Sequence, residues 1–154
     1  VLQGIVKPPK EKRRIINIKN FYESARPQIT KIFNEVFDAE PQFLYCNSTI
    51  EELSHLSEAL ATVCICGTLG NYLGNGLEEK YGVPYVRSIN QCGIVGFETW
   101  LREIGKVTGR SDKVEKYIAE RTKLMKEAAK QLDFLQAAQY RDEILRLQQE
   151  LELK

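Results

Sequence analysis

From Arg14 to Ser88 the apolar positions switch back and forth between two periods. Short β-branched or unbroken apolar runs predict strands at Arg14 to Lys19 (RIINIK), Gln42 to Cys46 (QFLYC), Ala61 to Cys66 (ATVCIC) and Val83 to Ser88 (VPYVRS). Between them the spacing is helical. Pro27 opens one helix, with Ile29, Ile32, Phe33, Val36 and Phe37 along it. A second follows Asn47-Ser48-Thr49, where either Ser48 with Glu51 or Thr49 with Glu52 has capping-box spacing ahead of Leu53, Leu56 and Leu60. Leu69, Tyr72, Leu73 and Leu77 mark a third, ended by Tyr81-Gly82. Phe97, Trp100, Leu101 and Ile104 mark a fourth, stopped near Gly105 to Gly109. Strand and helix alternating at such short intervals imply right-handed βαβ units. The expected fold of residues 14–109 is α/β, a Rossmann-like parallel sheet of about four strands with flanking helices.

Beyond Ser111 the pattern changes. There is no Gly, no Pro and no strand signal, only helical periodicity to the C-terminus. Asp133, in a cap-like Asp-Phe-Leu-Gln, predicts two helices meeting near Leu132–Phe134. The expectation is a connecting helix over 110–119 and an antiparallel helical hairpin over 120–154, marginal by itself for want of large apolar residues. At the other end Pro8, Pro9 and the charges of residues 1–13 predict a solvated basic linker.

Composition adds modest limits. The 154 residues are 43% hydrophobic and 28% charged, as in globular proteins. A net charge of +1 gives no bulk attraction to nucleic acid or membrane. The charge is uneven: residues 1–19 carry six Lys/Arg against Glu11, and 112–154 carry nine of each sign. The basic segment lacks interleaved aromatics, which argues against direct nucleic-acid binding. No run approaches the roughly 18 apolar residues of a membrane span, and no signal-peptide pattern opens the chain. Four cysteines in apolar or turn contexts read as free thiols in a reducing cytoplasm.

Two features could carry chemistry. Cys66-Gly67-Thr68-Leu69-Gly70 stands at a strand end, where doubly wound sheets bind ligands. It fits neither G-x-G-x-x-G nor a P-loop, so glycines allowing close helix–sheet packing are the simpler explanation. Cys64 and Cys66, two apart on one strand, share a face, with Cys64 the deeper. A complete zinc site is not formed by these spacings, but a thiolate is a good soft ligand for iron, so Cys66 could anchor an external cluster.

These segments carry a resemblance. The strand RIINI, the turn STIEEL, the apolar strand, CGTLGNYLGNGLEEKYGVPY and GIVGFETWLREIGKVTG occur in that order, and from about Ile5 to Ala119 the chain resembles the second α/β domain of the nitrogenase component-1 superfamily. LEEKYGVPY is the most characteristic part, and Cys66 with Asn71-Tyr72 extends it. The resemblance implies an oxidoreductase subunit or metallocluster scaffold. In it Cys66 would be the thiolate ligand of an iron–sulfur-type cofactor, with Gly67 and Asn71 beside it. It also implies homologous subunits as partners. Ile65 and Gly67 depart from the family pattern around that cysteine. The family's other cluster ligands belong to domains these residues do not match, so no cluster and no catalysis are expected of this chain alone. The alternative for Cys66 is a retained core cysteine.

The tail resembles something else. In LMKEAAKQLDFLQAAQYRDEILRL (124–147), Met125, the pairs Ala128-Ala129 and Ala137-Ala138, Leu132-Asp133-Phe134, Arg141-Asp142 and Ile144 resemble the UVR motif, the hairpin at the C-terminus of the excision-repair protein UvrB. That resemblance implies a protein–protein contact through Met125, Phe134, Arg141, Asp142 and Ile144, or self-association. It carries the competing reading, a non-enzymatic adaptor linked to excision repair. An ordinary charged helical extension is the bland alternative.

Overall fold

The computed structural model describes the whole chain except residues 20, 45–47, 65–66, 88–92 and 153–154; the side chains of 67–69, 132–137, 140 and 144–152 also lie outside the description. It divides into two compact units, residues 1–116 and 117–154.

The first unit is built on four parallel strands, β1 (Ile15–Lys19), β2 (Glu40–Leu44), β3 (Ala61–Cys64) and β4 (Tyr85–Val86), in the spatial order β2-β1-β3-β4. Five helices join or follow them: α1 (Arg26–Ile32), α2 (Ile50–Ser54), α3 (Gly67–Tyr81), α4 (Gly93–Thr108) and α5 (Ser111–Glu152). The parallel α/β architecture is as the alternation required. β2 starts two residues earlier than the apolar run suggested, taking in Pro41. Glu40 N–H donates to Arg14 O, so positions 41 and 43 turn their backbone outward, and proline is tolerated at such an edge position.

The helix opened by Pro27 is irregular. A 3-10 turn at Glu23–Ala25 leads into α1, which widens into a π turn at Phe33–Phe37 and stops at Asp38, whose φ of 51° is left-handed. Arg14 holds that stop, donating to Phe37 O and Asp38 O and pairing with the Asp38 carboxylate. Thr49 closes a full capping box with Glu52 at the start of α2. Thr49→Ala should lower unfolding stability by about 1 kcal/mol, read from urea denaturation.

Side chains of β1 sort the core into two layers. Ile15 joins Val6, Leu44, Leu56, Leu77 and Val83 on one face, and Asn17 bonds Leu56 O and Thr62 Oγ1 there. Ile16 and Ile18 point the other way by alternation and are fully buried. The second layer is aromatic: Trp100 of α4 lies 5.8 Å from Phe33, 6.0 Å from Phe21 and 5.7 Å from Phe97 between ring centroids. Residues 1–13 have no helix or strand, as their prolines dictate, but they are not a detached linker. Val6 is buried, Lys7 N–H donates to Ser54 O, and Lys12 Nζ donates to the Ser57 and Ala59 carbonyls.

The tail corrects one expectation. No turn occurs near Leu132–Phe134: α5 runs unbroken from Ser111 to Glu152, so the hairpin is replaced by one helix. The physical reason is composition. Between 112 and 152 nothing breaks a helix, and one interior Asp costs only about 0.7 kcal/mol against Ala, which Ala, Leu, Lys, Glu and Gln neighbours offset. From Glu120 to Gln131 every side chain except the half-buried Thr122 is exposed.

Candidate functional site at the sheet switch point

The strand order contains one reversal. The chain leaves β1 toward β2, but leaves β3 in the opposite direction toward β4. Connections from the C-terminal ends of β1 and β3 therefore diverge, and open α/β sheets bind their ligands in the crevice so formed. The chain crosses from Cys64, the end of β3, to Gly67, the start of α3, through Ile65 and Cys66. Cys66, the proposed thiolate ligand, lies outside the described residues, as do Cys46 and Cys92. Cys64 is in no disulfide, 2% exposed and part of the core.

Gly67 opens α3, and the glycines after it let the helix lie tight on the sheet. A Cβ at Gly70 would overlap Cys64 Sγ and Cβ, and one at Gly74 would overlap the Tyr85 ring. Packing thus accounts for Gly70 and Gly74 without a ligand.

Asn71 has a protein partner. Its Oδ1 accepts from the buried Tyr85 hydroxyl at 2.9 Å. Tyr85 N–H donates to Glu78 Oε1 at 3.1 Å, and Arg87 lies 5.1 Å from the centre of the Tyr85 ring while donating to Asn75 Oδ1 and Glu78 Oε2. This network ties one face of α3, from Asn71 to Glu78, to β4 and the residue after it. Tyr85, Asn75, Glu78 and Arg87 escaped sequence reasoning, although Asn71, Asn75 and Glu78 at i, i+4 and i+7 already mark one polar stripe facing β4. The Arg87 hydrogen bond, then the Tyr85 N–H, hold the Glu78 carboxyl below the usual carboxylate range. A carboxylate whose folded pKa is depressed stabilises above its unfolded pKa of about 4.3 and loses that contribution as pH falls through the folded value. Acidification from neutral pH should therefore destabilise wild type more than Glu78→Gln, compared by thermal melts at several pH values.

Every strand-to-helix connection of a parallel sheet leaves from the same edge, and here that edge is rimmed with exposed apolar side chains. Tyr22 (75% exposed) follows β1, Ile50 (73%) opens α2, Tyr72 (84%) lies on α3, and Ile94 and Val95 are in the first turn of α4. Among the described residues no three His, Cys, Asp or Glu side chains are grouped to hold a metal. The groups of the Tyr85–Arg87 network are a hydroxyl, amides, a guanidinium and the Glu78 carboxylate, which suit hydrogen bonding and ion pairing and not soft-metal ligation. The described residues do not by themselves fit an iron–sulfur cluster.

Of the proposed contact residues on α5, Met125 is half-exposed, and Arg141 and Asp142 pair with each other at 2.8 Å. The side chains of Phe134 and Ile144 lie outside the description. No described helix is long and apolar enough to cross a membrane.

A doubly wound α/β domain, with a glycine-packed helix leaving its switch point, is the class that the fold defines. Residues 1–140 match the family model described as nitrogenase component 1 type oxidoreductase, and the chain belongs to that family. That match includes much of the stretch compared above with the UVR motif. A relative is the nitrogenase vanadium-iron protein beta chain of Trichormus variabilis, 31% identical over 68 residues, which are 44% of this chain and 15% of that protein. Solved structures titled nitrogenase Cp1, at pH 5 and pH 6.5, superpose with a TM-score of 0.61 at 22% identity, covering 82% of this chain and 27% and 26% of theirs. At that identity the likeness shows the fold. The chain spans about a quarter or less of these proteins.

Proposed function

We propose that the α/β unit is one wall of a metallocluster site in a component-1-type oxidoreductase or cluster scaffold, working in the cytoplasm and inactive alone. The observation that carries this is the apolar rim around the switch point. A monomer gains nothing by exposing Tyr22, Ile50, Tyr72, Ile94 and Val95 along one edge, whereas a domain whose edge is covered by others of its assembly does. In this reading Cys66 contributes one thiolate at the covered edge, Gly67 and Asn71 flank it, and the remaining ligands come from other domains or homologous subunits. A cluster there would supply electron-transfer chemistry. The chain's own residues would shape the pocket and exclude water, with Tyr85 fixing Asn71.

The test is complementation. The chain is coexpressed anaerobically with a component-1 subunit from which the matching segment has been deleted. The reconstituted complex should retain iron and visible cluster absorption, Cys66→Ser should lose both, and Cys64→Ser should lose neither if it folds. A complex that assembles but holds the same iron with Cys66→Ser would refute the assignment.

The second reading, a non-enzymatic adaptor using the C-terminal helix, is favoured by one observation: Leu124 and Met125 stand 53% and 49% exposed within Glu120–Gln131, a stretch of α5 otherwise polar or small. A link to excision repair would come through this helix alone.

A further inference from the structure

The unbroken α5 carries its charge in two opposed halves. Residues 117–131 hold Arg121, Lys123, Lys126 and Lys130 against Glu120 and Glu127, a net +2. Residues 138–152, an equal length beyond the centre, hold Arg141 and Arg146 against four acids, a net −2. A single helix cannot bring its own halves together while it stays straight. Two copies laid antiparallel bring each positive half against a negative one: with Lys130 of one copy level with Glu143 of the other, Arg121 is level with Glu152, Lys123 with Glu150 and Glu127 with Arg146. A parallel pair would set like against like. The first half also offers the exposed Leu124 and Met125 as apolar contact, with Ala128 and Ala129 small enough for close approach.

We infer that α5 is a self-association element, in which the charge halves of two copies of this chain pair antiparallel. The inference deepens the adaptor reading by naming the partner as a second copy, and it is independent of the cluster reading. The halves set orientation as well as attraction, because exposed charge pairs discriminate registers and partners more than they add affinity.

Sedimentation equilibrium of the full chain over a concentration series reads the dimer directly. Wild type should associate to twice 17.7 kDa, more weakly as salt is raised. Two variants reverse one half each: Lys123→Glu with Lys126→Glu and Lys130→Glu, and separately Asp142→Lys with Glu143→Lys. All five positions are exposed, so folding of the first unit, checked by its thermal melt, should be untouched. Each variant alone should weaken association by about tenfold or more, since several exposed pairs turn repulsive together. An equimolar mixture should recover wild-type association, because each altered half then faces its complement. A wild-type chain that stays monomeric at high concentration overturns the inference, and so does a dimer that neither variant weakens or that mixing fails to restore. A monomer that still binds an unrelated purified partner through α5 would overturn this inference and leave the adaptor reading intact.

Discussion

Replacing both Gly70 and Gly74 with alanine should lower the stability of the α/β unit by about 3 kcal/mol, most of the margin of a small domain. The new methyl groups have no space: one overlaps the buried Cys64 side chain and the other the Tyr85 ring, which is held in place by its own hydrogen bond to Asn71. Overpacking costs about 1–3 kcal/mol per site and occasionally more, while the intrinsic helix preference of Ala over Gly returns just under 1 kcal/mol at each. Gly76→Ala is the control, because the atom its methyl would meet is Leu2 Cδ1, the far end of a flexible side chain. That variant should be neutral or slightly stabilising in the same urea titration. Equal losses at Gly74 and Gly76 would show that tight packing of α3 is not what these glycines serve.

Trp100→Ala should be at least as severe, about 3–5 kcal/mol, read from the same titration. The indole is fully buried among three phenylalanine rings and joins α4 to the π turn after α1 through Phe33. Trp100→Phe is the informative companion. The indole Nε1 has no hydrogen-bond partner among the described residues, an unmade bond worth about 1–3 kcal/mol of desolvation, so phenylalanine gives up ring volume but removes that penalty. Its net loss should be under about 1.5 kcal/mol. A loss for Phe as large as that for Ala would mean that the indole nitrogen is satisfied in solution.

The fold was legible because its elements are periodic over short distances. Ala61–Cys64 is buried throughout and lies in an almost continuous apolar run, and Ile15–Lys19 shows itself by its three isoleucines. What failed was each place where context outweighs pattern. The strand read from Gln42 stopped short of Pro41, which β2 includes because it lies on an edge with its nitrogen turned outward. Asp133 reads as a cap, yet the helix formers on either side of it outweigh that signal, and α5 runs through it. The site was half legible. The junction between β3 and α3 followed from the apolar run and the glycines after it, whereas the Tyr85–Arg87 network needs β4 brought beside α3, a distance no local spacing encodes.

The backbone of β2 has a bearing on how the molecule behaves in a crowd of its own kind. An open parallel sheet can grow at its edge, each added strand templating the next, and such growth is how native folds slide into fibrils. Along β2 only positions 41 and 43 face away from β1, and at the first of them the imino acid has no hydrogen to give. An incoming strand therefore meets a gap in the donor ladder where regular pairing would begin. Pro41→Thr would fill the gap at little cost to the fold, and should shorten the lag before thioflavin-positive aggregates form on agitation. Pro41 is then a guard residue, kept not for the chemistry at the opposite end of the strands but against polymerisation.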